Sequence, residues 1–164
     1  MTFKLDALFD SPEKRYLDTT DLNVLSQYVS SIPERVTVYR TLRDQEVPVM
    51  QEVAKTRQQH SGQPDPVVER SIRNGLMVMR YVAMAMLLDD QAFVEERLRG
   101  WLPEIVKAYE TQQLDRQLFQ LLTQKLATVL TPAQMSLLKP SLEKAQAIMF
   151  ETRETVGSTI GGLL

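Results

Sequence analysis

The sequence predicts an all-α protein. Apolar residues recur at three- and four-residue spacing along most of the chain, strand-like alternation is nearly absent, and the breaks fall at prolines and helix-capping residues. At 164 residues the chain has the size of one ordinary domain, long enough to bury one sizeable core.

Taken in order, the first main helix is marked by Leu22, Leu25, Val29 and Ile32, with Pro12 ahead of it and Thr19 or Thr20 placed to cap it. Pro33 is expected to restart the chain, and Val36, Tyr39, Leu42 and Val47 carry the next apolar stripe. Pro48 is expected at a helix start, because proline in a helix interior removes a hydrogen bond and clashes with the preceding turn. The polar stretch His60–Pro66 reads as a loop. A strongly apolar helix follows from Ser71 to Asp90, then two short ones, from Asp89 or Asp90 through Leu98 and from Trp101 to Tyr109, parted by Gly100. Asp115 to Leu130 places Leu118, Leu121, Leu122, Leu126, Val129 and Leu130 on one side. Thr131, Pro132 and Gln134 form a capping box with proline at the first helical position. Pro140 is expected to kink or interrupt that last helix, and the tail with Gly157, Gly161 and Gly162 to be loose. Seven or eight helices in one domain fit a globin-like fold, divided as an N-terminal helical extension (1–18), a helical domain (19–156) and a flexible tail (157–164).

Composition excludes several functions. A net charge of -2 with no basic arm leaves no electrostatic footprint for nucleic acid. The apolar run Leu76–Leu88 contains Arg80 and is shorter than the roughly 20 residues a bilayer needs. No signal-peptide pattern opens the chain, so a cytoplasmic protein is expected. The absence of cysteine removes disulfides, thiol nucleophiles, cysteine-ligated metals and thioether-linked pigments together. His60, the one histidine, sits in a polar stretch unlike the setting of a proximal haem ligand, and no phosphate loop, metal-ligand spacing or nucleophile elbow is present. No enzyme is expected.

Ser71, Arg73 and Asn74, followed by Met79, Arg80, Tyr81 and Asp90, have the order and spacing of the chromophore-bearing helix of phycobiliproteins. Ser11–Leu22 (SPEKRYLDTTDL) and Pro33–Leu42 (PERVTVYRTL) resemble the segments ahead of it, the second most like the allophycocyanin branch, and Leu98, Gly100 and Glu104 echo the next short helix. The chain thus resembles an allophycocyanin-like phycobiliprotein over roughly residues 11 to 110. In that family this helix carries a cysteine that bonds a linear tetrapyrrole, an arginine for a propionate, and an aspartate for the pyrrole N–H groups. Ser71 and Asn74 stand where the resemblance puts the cysteine and the aspartate. Asn74 offers a neutral acceptor only, and hydrogen bonds to a charged partner are worth roughly 1.5–3 kcal/mol against about 1 for neutral ones. The preceding loop is also short. The resemblance therefore implies a pigment pocket that is absent or collapsed, with Ser71, Arg73, Asn74 and Arg80 as its vestige or as a noncovalent site.

Plainer readings stand beside these. Arg73 and Arg80 are seven apart, on one helix face, where solvated or salt-bridged arginines are common; Met77, Met79, Met84 and Met86 suit core packing or the filling of a vacated cavity. Gly75 is expected to allow close approach of another helix. The resemblance makes the N-terminal segment with Phe3, Leu5, Leu8 and Phe9 a helix packed on a partner subunit; a short amphipathic helix folded on its own domain is the alternative. Tyr16, Leu17, Leu22 and Leu25 extend that interface, Arg15 and Asp18 flank it with ion pairs, and Trp101 with Leu102 offers a second surface or part of the core. The reading preferred on these grounds is a pigment-free, phycobiliprotein-like interaction protein, a structural, regulatory or assembly partner of phycobilisome or photosynthetic complexes. Its partner is expected to be a phycobiliprotein subunit, a photosynthetic complex or a second copy, with no nucleic acid, and its place the cytoplasm or, through a partner, the cytoplasmic face of thylakoids. No cofactor is expected; the alternative is a module that binds a bilin noncovalently for delivery, storage or sensing. A globin-like stress sensor is a third, weaker reading.

Overall fold

The structure of the chain, a computed structural model, describes residues 16–60, 62 and 64–151, without the side chains of 58–60. Phe3, Leu5, Leu8, Phe9 and Arg15, the helix expected there and the glycine-bearing tail lie outside the described residues. Within them the chain is all-α, with six helices and no strand: α1 (Thr19–His60), α2 (Asp65–Leu88), α3 (Gln91–Leu98), α4 (Leu102–Ala108), α5 (Gln112–Val129) and α6 (Pro132–Met149).

α1 corrects the segmented reading of the first sixty residues. It is one helix of 42 residues with Pro33 and Pro48 inside it, about 63 Å long at 1.5 Å per residue. Each proline withdraws the donor for the carbonyl four residues earlier, at Val29 and Asp44. Both prolines and both of those residues are exposed, so water can serve the orphaned carbonyls. The second half is held in helical register by burial of Val38, Leu42, Val49, Met50 and Val53. The helix also starts differently from expectation: Asp18, not Thr19 or Thr20, caps it. Asp18 Oδ1 accepts from the Asp21 N–H at 2.9 Å, and the Asp18 N–H donates to Asp21 Oδ2 at 3.3 Å. At the other end the helix includes His60, which the sequence placed in a loop.

α2 is the axis of the core. It packs against α1, α5 and α6, while α3 bridges α2 and α6. Val78, Val82, Ala85 and Met86 of α2 meet Leu98, Leu102, Leu126 and Ile148 in a single apolar cluster. Two adjacent aspartates manage the turn out of α2. Asp89 adopts the left-handed conformation (φ 53°), letting the Asp90 N–H bond to the Ala85 carbonyl at 2.9 Å, and Asp90 Oδ1 then accepts from the Ala92 N–H at 2.9 Å to open α3. The Asp89 carboxylate is anchored by the buried Arg35 guanidinium at 3.0 Å, which also donates to the Met86 carbonyl. A buried cation on α1 thus fixes the end of α2.

α5 begins three residues earlier than expected, with the buried Thr111 hydroxyl donating to the buried Asp115 carboxylate. The capping box at Thr131 and Gln134 forms as read, but α6 continues uninterrupted through Pro140. Ser136, whose carbonyl loses its donor, is exposed, and burial of Leu138, Leu142, Ala145 and Ile148 on either side keeps the helix whole. Leu102 is fully buried and Trp101 packs on the core with its Nε1–H donating to the Arg97 carbonyl at 2.6 Å, so this pair forms core rather than a second surface. No helix among the described residues is long and apolar enough to cross a membrane.

Candidate functional site

The residues singled out on α2 point in different directions. Ser71 is buried and Asn74 half-buried, and both line a cavity of about 10 Å³ whose far wall is Asp115, Leu118, Phe119 and Leu122 of α5. That volume suits one water molecule, far below the ≈ 300–1,000 Å³ of ligand pockets. Gly75 shares the wall, but the close helix approach expected there does not occur: a Cβ on it would have nothing within 4 Å, because the glycine faces this residual space instead of a neighbouring backbone. Arg73 lies on the opposite side of α2, exposed and ion-paired with Glu69 one turn back. Ser71, Arg73 and Asn74 therefore do not converge on one interior volume.

Arg80 does face another element. Its guanidinium is held bidentately by Glu46 of α1, Nε to Oε2 at 2.8 Å and Nη2 to Oε1 at 2.6 Å. The hydrogen bond from Arg80 holds the Glu46 carboxyl below its usual range, aided by the opposite charge and opposed by partial burial. The pair lies in a groove of about 430 Å³ between α1 and α2, floored by Leu42, Met79 and Ala83 and walled by Tyr39, Met84 and Phe93. Tyr81 meets Phe93 edge-on there, ring centroids 6.2 Å apart. A further hollow of about 240 Å³, reaching Val47 and Ala54, adjoins it at Glu46.

The composition of the α2 site, the all-helical architecture and the order of these residues along α2 all point to one family, and a family model described as phycobilisome protein matches residues 9–149. The chain belongs to the phycobilisome protein family. It has the all-α, globin-like phycobiliprotein fold of that family, and no cysteine with which to bind a bilin covalently. No curated protein matches the chain. The residues at the family's pigment position do not fit a covalently held bilin in this phycobilisome protein: the cysteine is absent, Arg73 turns to solvent, and the interior space beside Ser71 is about 10 Å³.

Of the expected interface residues within the described chain, Tyr16 is 89% exposed and Leu22 52%, Leu17 and Leu25 are half-buried, and Asp18 is engaged in the cap of α1. The exposed stripe runs further than the sequence reading took it, through Val29 (53%) to Ile32 (36%). No residue from 16 to 34 is buried; burial begins at Arg35. The first 16 residues of α1, about 24 Å, thus add no fully buried side chain to the core, although Asp21, Val24, Leu25, Tyr28 and Ser31 are half-buried. The groove between α1 and α2 and the Arg35–Asp89 pair were not anticipated. The one available signal was Arg35 itself, a cation set among the apolar positions Ile32, Val36 and Val38.

Proposed function

We propose that this member of the phycobilisome protein family is pigment-free and works by docking, as a structural, regulatory or assembly partner of phycobilisome or photosynthetic complexes. One observation carries the reading: the first 16 residues of α1 bury no side chain fully and expose Leu22, Val29 and Ile32, while the volume beside Ser71 has room for about one water. The docking surface is the N-terminal segment with Phe3, Leu5, Leu8 and Phe9, continued by Tyr16, Leu17, Leu22 and Leu25, with Arg15 and Asp18 at its edge. The work is binding by helical faces; no catalytic step is assigned. The protein acts in the cytoplasm and reaches the cytoplasmic face of thylakoids through its partner.

A second reading, reversible bilin binding, draws support from the groove between α1 and α2. Its size lies within the range of small-ligand sites, and Arg80 lines it. Gentle purification from the native host, with a visible absorption spectrum and mass spectrometry of co-purifying chains, separates the two. Docking predicts a colourless protein accompanied by antenna or photosystem subunits; a visible band lost on denaturation would replace it with pigment binding. Phe9→Glu is expected to abolish co-purification with those subunits while leaving the circular dichroism spectrum unchanged, and undiminished association of that variant would remove Phe9 from the interface.

A further inference from the structure

We infer that the cavity between α2 and α5 is a binding site for one water molecule, which bridges the Ser71 hydroxyl to the Asp115 carboxylate and ties the two helices together. The inference stands apart from the docking reading. Ser71 and Asn74 are three residues apart on α2 and share the face that borders the cavity, while Asp115 lines it from the first turn of α5. The remaining lining is apolar, Leu118 and Leu122 of α5 included. A wholly apolar cavity of this size stays dry, whereas one with about 10 Å³ of space and two to four polar partners holds a water.

Two of these polar groups have bonding capacity that the protein leaves unused. Ser71 is 3% exposed, and its hydroxyl makes no hydrogen bond among the described residues. Asp115 is 5% exposed, and no cation pairs with it among the described residues. Thr111, whose hydroxyl is turned away from capping α5, donates to Asp115 Oδ2, and among the described residues Oδ1 has no donor. A carboxylate accepts up to about four hydrogen bonds, and burial of an unpaired polar group is unfavourable. A hydroxyl donor and a carboxylate acceptor that border one cavity without meeting mark the two ends of a bridge. The water accepts from Ser71 Oγ, donates one hydrogen to Asp115 Oδ1 and directs the other to the Asn74 side-chain oxygen, completing the roughly three hydrogen bonds typical of a buried water. A metal cation is a poorer occupant, since no three acidic or histidine side chains gather to hold one among the described residues.

The test is a high-resolution crystal structure of the full-length chain and of its Ser71→Ala variant, with urea unfolding of both and of Asp115→Asn. The native protein is expected to show one water about 3 Å from both Ser71 Oγ and Asp115 Oδ1, and Ser71→Ala to lose it with the backbone unchanged. Ser71→Ala and Asp115→Asn are each expected to lower the folding equilibrium constant about fivefold, the effect of one hydrogen bond. Both act through one water without touching each other. The double variant is therefore expected to fall short of the product of the single effects by at least about twofold. Effects that multiply, as those of independent sites do, overturn the bridge. A native structure with no water there, a direct hydrogen bond from Ser71 to Asp115, or a water that stays in place in Ser71→Ala overturns it equally. Where Asp115→Asn does not fold, the loss or survival of the water in Ser71→Ala carries the test.

Discussion

A methyl group added at position 75 would meet nothing within 4 Å, in the middle of a 24-residue helix. Glycine there costs about 1 kcal/mol relative to alanine, through the backbone freedom it loses on folding. Gly75→Ala should therefore stabilise the protein by about 1 kcal/mol in urea unfolding, with part of the 10 Å³ cavity filled; a destabilised variant would mean that a backbone does approach here. The sequence pointed to the neighbourhood but not to this outcome, because close approach and open space both suit glycine. The spacing of its neighbours along the helix decides which of them face inward. Residues two apart on a helix do not share a face, whereas residues three apart do. Ser71 and Asn74 accordingly line one cavity while Arg73 pairs with Glu69 outside it. The family order of these three residues does not by itself bring them to one interior volume.

Among the elements, α1 is where propensity and structure part company. Proline in a helix interior costs about 3 kcal/mol, and on that rule Pro33 and Pro48 divide the segment. Tertiary packing overrides the rule because both sit on the exposed side while Val38, Leu42 and Val49 are buried. Pro48→Ala is then expected to raise stability by roughly 1–3 kcal/mol with no change in oligomeric state, since it restores a donor in mid-helix. Were Pro48 the first residue of a separate helix, where its missing N–H costs nothing, the substitution would be neutral or slightly harmful in the same unfolding measurement. Elsewhere the elements were legible where a local signal was unambiguous: the capping box at Thr131 is where the sequence put it, and of the two aspartates offered for the start of α3 the structure selects Asp90. Cap choice at Asp18 was missed because three adjacent residues can all cap, and only geometry selects among them.

For the whole molecule, the family was legible from α2 and the segments before it, and the match over 9–149 extends the resemblance through α6. Tertiary pairings were not legible, because an ion pair such as Glu46 with Arg80 joins residues 34 apart without any local pattern. That pair makes stability depend on pH in a defined sense. The Glu46 carboxyl is lowered below 4.5 by the Arg80 hydrogen bond, so its contribution is present above the unfolded-state value and is lost as pH falls through the lower, folded one. Glu46→Gln should lower stability at neutral pH, and the gap between native and variant proteins should close on acidification below about 4.5. A gap that stays constant down to acid unfolding would show that the carboxylate contributes shape alone.

Pro33 stands two residues before Arg35, the first buried position of α1, and its missing N–H interrupts the hydrogen-bond ladder there. One rung is lost there, and side chains bridge the gap: Arg35 Nε donates to the Ser31 hydroxyl at 2.8 Å, and the Arg35 guanidinium lies 6.0 Å from the centre of the Tyr28 ring. The outer turns, which bury no side chain fully, are expected to open at lower free-energy cost than the inner ones, which Arg35 clamps to Asp89. Amide protons on the two sides of the proline should then exchange with solvent at very different rates despite belonging to one continuous helix. The outer turns can thus loosen while the core that the inner turns serve stays intact.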